Sequence, residues 1–552
     1  MTKETKLTTR RKILTAMGLG MTSGAVLASS SNSSLPNLPN NTQFAYAKDY
    51  QVSNSLNDDT HALQQLCEHA IKNNKVAVLE SKKYYISASL LSSSTYKNFS
   101  ITCLNGQAEI EIVGENIEAV FDLHNLQSIT ITNLSINANH NVATALELRR
   151  NDDDINGYSH VHIDRVKIIN CFRSTQSKAA AGIMIIGAFD AVNIHSCHIS
   201  DIGRKSENSE STGIAVVQTN GVVNIQNCLV QNITTPDDKD ADGVKIFARN
   251  MQNIAQKLGA QVTISNCRFV DCKGRSIKLQ ITDSYIYANI FELNDNFSTI
   301  TNGSFIDSQA DNGNINNNSF YIHDAELGDG FACISFQNIR NTSGKGSFCS
   351  HNFIQTNCVL PYFVMAFSKF KTSQVIVESN IIEGVGCNRF LLHRLYDTNT
   401  TDFTYLRVAL INNSITFNTK NDKACLYYDW NHAVHDNTLL LQITGNTCTN
   451  HSRIGRIFID QKGFNGGSNF LISNNINFDN MVTWRFNLNN LPAGNDIIAT
   501  NNEILSDEYD NYSPFHIITS NFKQQITFDA TDKVLTRKKN MSKLDWKDWV
   551  LK

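Results

Sequence analysis

Short segments in which apolar and polar residues alternate recur along most of the chain, and this pattern favours β-strands over helices. Successive copies of the clearest segment begin 31 or 32 residues apart, and the last interval is 39 residues. A period of this length fits one coil of three short strands joined by turns, and stacked coils would bury a continuous core. The pattern therefore predicts an all-β solenoid with a loop inserted around residues 251–259. The five aligned copies begin at Ile129, Val161, Val192, Val223 and Val262.

Cysteine and asparagine recur at fixed positions of this repeat. Cys197, Cys228 and Cys267 occupy the same position, which predicts that they stack inward in the core. Asn227 and Asn266 share the position before it, which suggests an asparagine ladder at a turn. None of the 13 cysteines forms a C-x-x-C pair, so zinc-ribbon spacing is absent. Buried thiols are favoured over a disulfide framework, which stays the alternative in an exported chain.

One helical pattern precedes the repeats. Asp59 or Thr60 can cap its N-terminus, and the segment Val76–Leu79 that follows reads as a strand. Because the open end of a solenoid exposes strand edges and core, we expect the helix to cover that end. Its apolar face is formed by Ala62, Leu63, Leu66, Ala70 and Ile71.

This order of elements resembles the entry cap of the pectate-lyase-like right-handed β-helix superfamily. The resemblance rests on Asp58-Asp59-Thr60, the helix, the strand and Tyr84-Tyr85-Ile86. Lys82-Lys83 stands where that family usually has Pro and Gly. The resemblance implies a single-domain right-handed parallel β-helix with three strands per coil and an N-terminal capping helix. We place the signal peptide and linker at 1–47, the cap at 48–100, the β-helix at 101–530 and a C-terminal tail or cap at 531–552.

The N-terminal segment resembles a twin-arginine export signal. Arg10 and Arg11 stand just before a modest apolar stretch from Ile13 to Leu27. Gly and Thr dilute that stretch, so it is too weak for a stable membrane span. The resemblance implies that the chain is exported to a bacterial periplasm or secreted. An uncleaved membrane anchor is the alternative.

Composition narrows the range of partners. Hydrophobic residues make up 41% and charged residues 18% of the chain, which describes a globular protein with a substantial core. A net charge of −3 argues against a general nucleic-acid or membrane-surface footprint. Any attraction for a polyanion must therefore come from a local cluster of cations.

Such a cluster is predicted where two strand patterns, 242–246 and 275–279, superpose. Strand alternation turns Lys245 and Lys278 outward, and Asp242 and Arg275 form a second column whose outward direction is an assumption. Coils stack about 4.8 Å apart, so each pair would be adjacent. Two ammonium groups about 5 Å apart repel by roughly 1 kcal/mol in water and 3 kcal/mol near a protein surface. Nearby aspartates or a bound anion must offset this repulsion, so a surface ion-pair network is the alternative to a site.

The cluster suits β-elimination from a uronate-containing polysaccharide, because removal of a proton beside a carboxylate needs stabilisation of the developing charge. We predict Lys245 as the base and Arg275 or Lys278 as carboxylate clamp and acid. Asp242 would orient Lys245. Further substrate-binding candidates are Asp240, Glu147, Lys273 and Arg204.

Comparison within the superfamily separates the alternatives. Asp240-Ala241-Asp242-Gly243 resembles the N-T-D-G motif of polygalacturonases, but Gly274-Arg275 stands where that branch has paired aspartates. Inverting hydrolysis needs two carboxyl groups flanking a water, so a lyase is preferred. The alternatives are a polygalacturonase-like glycoside hydrolase and a non-catalytic polysaccharide-binding or surface protein. Calcium at Asp237, Asp238 and Asp240 is the one cofactor that the sequence suggests, and a solvated loop is the favoured interpretation of these residues.

Overall fold

A computed structural model describes most of the chain from residue 44 to residue 450. Beyond residue 450 it describes only the strands named below. The described residues up to that point are 44–50, 58–91, 98–125, 127–150, 158–173, 179–204, 210–236, 240–248, 260–281, 283–294, 303–309, 312–323, 325–338, 346–368, 372–395, 405–418, 426–429 and 438–450.

Strands dominate the described residues, and the helices among them are one short 3-10 helix, Ala47–Tyr50, and one α-helix, α1, Thr60–Lys72. The first strands are β1 (Phe44–Tyr46), β2 (Val76–Leu79), β3 (Lys83–Ile86), β4 (Asn98–Cys103), β5 (Ala108–Ile112), β6 (Ile117–His124), β7 (Ser128–Thr132), β8 (Leu134–Asn137), β9 (Val142–Arg149), β10 (His160–Asp164), β11 (Lys167–Ile169) and β12 (Phe172–Arg173). The next are β13 (Ala180–Ile186), β14 (Ala191–His195), β15 (His198–Arg204), β16 (Ser211–Thr219), β17 (Val222–Gln226), β18 (Leu229–Ile233), β19 (Ala241–Ala248), β20 (Gln261–Ser265), β21 (Arg268–Cys272), β22 (Arg275–Gln280), β23 (Asp283–Tyr287) and β24 (Ile290–Leu293). They are followed by β25 (Ser304–Ser308), β26 (Asn312–Asn316), β27 (Ser319–Ile322), β28 (Ala332–Asn338), β29 (Ser347–Ser350), β30 (Phe353–Thr356), β31 (Leu360–Ser368), β32 (Thr372–Glu378), β33 (Ile381–Leu395), β34 (Tyr405–Ile411), β35 (Ser414–Phe417) and β36 (Leu426–Asp429). The last are β37 (Thr438–Thr444), β38 (Thr447–Asn450), β39 (Phe458–Lys462), β40 (Ser468–Ser473), β41 (Ile476–Asn477), β42 (Trp484–Asn487), β43 (Asp496–Thr500), β44 (Glu503–Ile504), β45 (Phe515–Ile518), β46 (Ile526–Ala530) and β47 (Lys533–Leu535).

Each coil contributes one strand to each of three faces, as β14, β15 and β16 do before β17 begins the next coil. Strands of successive coils pair in parallel, β14 with β17, β15 with β18 and β16 with β19. Between β46 and β47 the pairing is antiparallel. The predicted right-handed parallel β-helix with three strands per coil is thereby confirmed. We call the face formed by β9, β13, β16, β19, β22, β25 and β28 the third face.

The predicted repeat register is confirmed by the strand pairing. Ile129 pairs with Val161, and the same column continues through Val192, Val223 and Val262. All five side chains are fully buried. Apolar residues at every second position therefore form one continuous core, as the alternation predicts. The predicted insertion at 251–259 lies outside the described residues.

The inward column at one turn changes from cysteine to asparagine along the solenoid. Cys197, Cys228 and Cys267 stack in the core as predicted, and the N–H of Cys197 lies 3.4 Å from Sγ of Cys228. The prediction for Asn227 and Asn266 is wrong, because both have positive φ and turn their side chains to solvent. The buried ladder continues the cysteine column instead, and it comprises Asn289, Asn318, Asn352, Asn380, Asn413 and Asn446.

Replacing Asn352 by alanine is expected to lower the free energy of unfolding by several kcal/mol. Asn352 Oδ1 accepts the N–H of Asn318 at 3.0 Å, and its Nδ2 donates to Asn380 Oδ1 at 2.9 Å. Each buried polar group left without a partner costs about 1–3 kcal/mol. Thermal melting checks this, with Asn314→Ala on the outer surface as control. Equal melting temperatures for the two variants would contradict a stabilising ladder.

Helix α1 packs over the first coils, as expected for a cap. Its buried face is close to the predicted one, except that Ala62 is only half-buried and Cys67 is added. Asp59 stands at the N-cap position, but its Oδ2 accepts the N–H of Tyr85 at 3.0 Å instead of a helix N–H. Asp58 Oδ1 accepts the N–H of Thr60 at 2.9 Å. The helix start is thereby tied to strand β3.

Several predictions fall on residues that the structure leaves undescribed. The twin-arginine segment lies entirely within 1–43, and the part of the predicted C-terminal tail after Leu535 is likewise outside the described residues. The domain boundaries and the export signal therefore stay predictions. Within the described part of the chain, no helix is long and apolar enough to cross a bilayer.

Candidate active site

The predicted outward column on the third face is confirmed. Lys245 pairs with Lys278 across β19 and β22, and the column extends back through Ala215 and Met184 to Glu147. The pairing continues it one coil further, from Lys278 to Asp307 on β25. Three charged residues therefore occupy successive rungs of one face.

The Asp242 carboxylate lies among the outward cations, with Oδ2 4.0 Å from Nζ of Lys278, but it is not open to solvent. Its side chain is 0% exposed, because Arg275 of the next coil lies over it and donates from Nε to Oδ1 at 2.7 Å. Gly243 permits this close approach of the coils, since a Cβ there would lie 2.6 Å from the carbonyl oxygen of Ser276. Asp242 can therefore hold Arg275 but has no surface for a substrate.

Three carboxylates surround the guanidinium of Arg275. Besides Asp242, Asp240 forms an ion pair with Nη2, and Oδ2 of Asp307 lies 3.8 Å from Nη1. Burial alone would lower the pKa of Arg275, but the negative charges of Asp242, Asp307 and Asp240 outweigh it and raise the pKa. The guanidinium is thus permanently charged and fixed in orientation.

The two lysines have different carboxylate partners. Lys278 Nζ lies 3.1 Å from Oδ1 of Asp240 and 4.0 Å from Oδ2 of Asp242. Lys245 Nζ pairs with Glu210, on the coil before it. Both ammonium groups also lie over the ring of Phe247, at 4.8 and 5.7 Å from its centroid. The prediction that Asp242 orients Lys245 is therefore wrong, because Glu210 is the carboxylate that holds Lys245.

The described cluster contains three cations and four carboxylates, so the protein itself supplies the anions that offset the repulsion. Burial raises the pKa of Asp242 despite the nearby Arg275 and Lys278. Burial also raises the pKa of Asp307 to about 6, against the opposing effect of Arg275 and Lys278 and with a contribution from the charge of Asp242. At Asp240 burial acts in the same direction, but Lys278 and Arg275 outweigh it and lower the pKa.

Sequence reasoning missed Asp307 and Glu210. Asp307 could have been found, because Ser304–Ser308 repeats the pattern of Arg275–Leu279 one coil later and places an aspartate at the lysine position. Glu210 lies just before β16, outside any strand alternation. Its contact with Lys245 depends on where the preceding loop ends, so no sequence periodicity marks it.

The predicted substrate-binding residues are distributed unevenly. Asp240 belongs to the cluster, and Lys273 lies just before β22 with Nζ 3.3 Å from the carbonyl oxygen of Thr235. Glu147 is three rungs before Lys245, about 14 Å away at the usual spacing, and pairs with Arg149 at 2.6 Å from Nε. The side chain of Arg204 lies outside the described residues. The structure thus places Asp240 within the charged cluster and leaves Glu147 outside it.

The proposed calcium ligands are only partly described. Asp237 and Asp238 lie outside the described residues, and the Asp240 carboxylate is engaged by Arg275 and Lys278. Across the residues that are described, no group of three or more His, Cys, Asp or Glu side chains is arranged to hold a metal ion. Calcium binding therefore stays a prediction.

The exposure of the side chains orders the cluster from surface to core. Glu210 and Asp240 are 41% and 38% exposed, whereas Lys245 and Lys278 are 8% and 13% exposed. An incoming anion would therefore meet the two carboxylates first and could replace them on the lysines. Carboxylate exchange of this kind is the chemistry that the arrangement most directly permits.

Comparisons with known proteins identify no family for this chain. No protein-family model and no curated protein matches the chain. The Agl-KA catalytic domain is 12% identical over 85% of this chain and 69% of that chain, with a TM-score of 0.33. PfbA, a surface adhesin of Streptococcus pneumoniae, is 11% identical over 92% of this chain and 99% of that chain, with a TM-score of 0.34. Likeness at this level adds nothing on function to the contacts described above.

Proposed function

We propose that the chain is an enzyme that cleaves an acidic, uronate-containing polysaccharide by β-elimination at the Lys245–Lys278–Arg275 cluster. The observation that supports this most is the placement of these three cations on two adjacent rungs of one face, each held by a carboxylate. Burying charges is expensive even when they are paired. Clusters of this kind therefore occur preferentially at functional sites.

The roles follow from the reaction. The base takes the proton from C5 of the uronate, and the C4–O bond breaks while its oxygen takes a proton from Lys278. The new double bond joins C4 and C5. Arg275 and Lys278 bind the sugar carboxylate, and their charge stabilises the enolate-like intermediate. Lys245 is the base, and displacement of Glu210 by the substrate frees its Nζ to take the C5 proton.

The proposal includes the location and the partner. The twin-arginine resemblance supports export to the periplasm or secretion. The net charge of −3 gives no general attraction for nucleic acid, and the local cations of the cluster suit a carboxylate-bearing polymer. The partner is therefore the acidic polysaccharide itself.

Hydrolysis is a second candidate, and one observation favours it. Asp242 and Asp307 are two carboxyl groups with raised pKa on either side of Arg275. A general acid needs such a raised pKa. Both side chains are nevertheless buried, so this route requires the site to open. β-Elimination needs only the displacement of Glu210 and Asp240.

A panel of uronic-acid polymers tests the proposal, with and without a chelator. We expect one polymer to give a rise in ultraviolet absorbance, because β-elimination leaves an unsaturated uronate at the new non-reducing end. New reducing ends without that absorbance would instead establish hydrolysis. Binding without either product would assign the chain to non-catalytic polysaccharide binding.

A further inference from the structure

Asp307 is buried on the coil after Arg275 and Lys278, and its ion pair with Arg275 is long. Its side chain is 5% exposed, Oδ2 lies 3.8 Å from Nη1 of Arg275, and Oδ1 accepts no hydrogen bond from the residues that the structure describes. The uncharged side chain of Gln309 is near the carboxyl group and acts to lower its pKa, against the larger effect of burial. Two charged groups face it from β22, Arg275 and Lys278, and Asp242 adds its charge from β19. On the following coil its register partner is the uncharged Ser335.

We propose that Asp307 is a positioning residue that takes up a proton and thereby controls how strongly Arg275 binds an anion. The inference rests on the proposed function, in which Arg275 binds the substrate carboxylate. When Asp307 is ionised, the cluster holds four carboxylates against three cations, and Nη1 of Arg275 faces a carboxylate. When Asp307 is protonated, the charges balance and Nη1 faces a neutral group.

The physical cause is the cost of an ionised carboxylate in a buried place with few hydrogen bonds. Burial raises the pKa of Asp307 to about 6, and the neighbouring Asp242 adds to the effect. The proton is therefore taken up as the pH falls through about 6. The anion affinity of the site should rise over the same interval, because one competing negative charge is removed.

The raised pKa of Asp307 also determines how pH changes the stability of the fold. An aspartate in an unfolded chain keeps a pKa of about 3.9, so the folded protein binds this proton more tightly than the unfolded chain does. The ionised form consequently destabilises the fold above pH 6, and the destabilisation is relieved as the pH falls. Asp307→Asn mimics the neutral form at every pH.

The first experiment needs no substrate and compares the melting temperature of the wild-type protein with that of Asp307→Asn between pH 8 and pH 4.5. We expect the variant to melt at a higher temperature at pH 8 and the difference to shrink as the pH falls. Asp49→Asn, at an exposed aspartate, is the control and should show no such trend. A difference between wild type and Asp307→Asn that stays constant with pH overturns the proposed protonation.

The second experiment measures binding of polygalacturonate, the probe, over the same range. The wild-type protein should bind at least about fivefold more tightly at pH 5 than at pH 7.5, the factor for one charge at about 4 Å in water. Asp307→Asn should bind the polymer with nearly constant affinity over this pH range. In cleavage assays, the difference between the variant and the wild-type protein should appear in KM and not in kcat. An unchanged pH dependence in the variant overturns the control of Arg275 by Asp307.

Failure of the proposed function is distinguishable from failure of this inference. If the wild-type protein neither binds nor cleaves any acidic polymer, the function is wrong, but the melting experiment still decides whether Asp307 titrates near pH 6. Asp307→Ser, which copies the neutral Ser335 of the next coil, replaces Asp307→Asn should that variant fail to fold. Circular dichroism at pH 8 establishes folding before either measurement.

Discussion

Replacing Lys245 by alanine is expected to lower the rate of polysaccharide cleavage by about 10²–10⁴-fold, the usual contribution of a positioned general base. Lys245 is the more buried of the two lysines. Glu210 and the Phe247 ring hold its Nζ in place. Alanine removes the proton acceptor but leaves Arg275 and Lys278 to bind the sugar carboxylate. The loss should therefore appear in kcat much more than in KM.

Two further variants isolate the role of Lys245. Lys245→Arg keeps the positive charge but cannot give up its proton, so binding should persist while cleavage is lost. Lys83→Ala is the matched control, because Lys83 also pairs with two carboxylates, at 3.1 and 2.7 Å, on an early strand far from the cluster. Its activity should equal that of the wild-type protein. Full turnover by Lys245→Ala would exclude Lys245 as the base.

Replacing Arg275 by methionine should destabilise the protein by about 3–5 kcal/mol near pH 8, the loss found when one partner of a buried ion pair is removed. The change leaves Asp242, which is fully buried, and Asp307 without the cation between them. Both carboxyl groups already have raised pKa values because of burial. Without Arg275 they will protonate more readily, so the destabilisation should shrink as the pH falls towards 5.

Thermal melting at pH 8 and pH 5 measures this effect. The double variant Asp242→Leu/Arg275→Met should recover much of the loss, because no unpaired buried charge remains at that pair. Arg268→Met is the control, since Arg268 forms a pair with Glu292 at 2.6 Å on an exposed face and such pairs contribute about 0–1 kcal/mol. Similar small shifts for Arg275→Met and Arg268→Met would show that the cluster does not stabilise the fold.

The register of the site could be read directly from the sequence. Val244 and Ile277 stand at equivalent places in two repeats, and the residues after them, Lys245 and Lys278, had to share one column. Side-chain alternation has a period of two, so a correct alignment of the apolar residues assigns the face of the others as well. Alignment of one more repeat would have added Asp307.

The pairing of the charges could not be read in the same way. Arg275 reaches across two coils, and its partners Asp240 and Asp242 precede or begin a strand, where alternation does not hold. Glu210 depends on the end of a loop. The asparagine ladder illustrates the same limit, because the residue at positive φ turns outward and the residue after it turns inward. Backbone conformation at the turn decided which asparagine is buried.

The sequence by itself therefore determined the parallel β-helix, its coil length and the outward column of lysines, because each depends on periodic burial of apolar residues. Only the tertiary structure decided that Glu210 holds Lys245, that Asp242 is buried under Arg275 and that Asp307 completes the cluster. These contacts join separate coils through long side chains, and their geometry depends on turn conformation and on how closely the coils approach at Gly243. Periodicity carries no information about either.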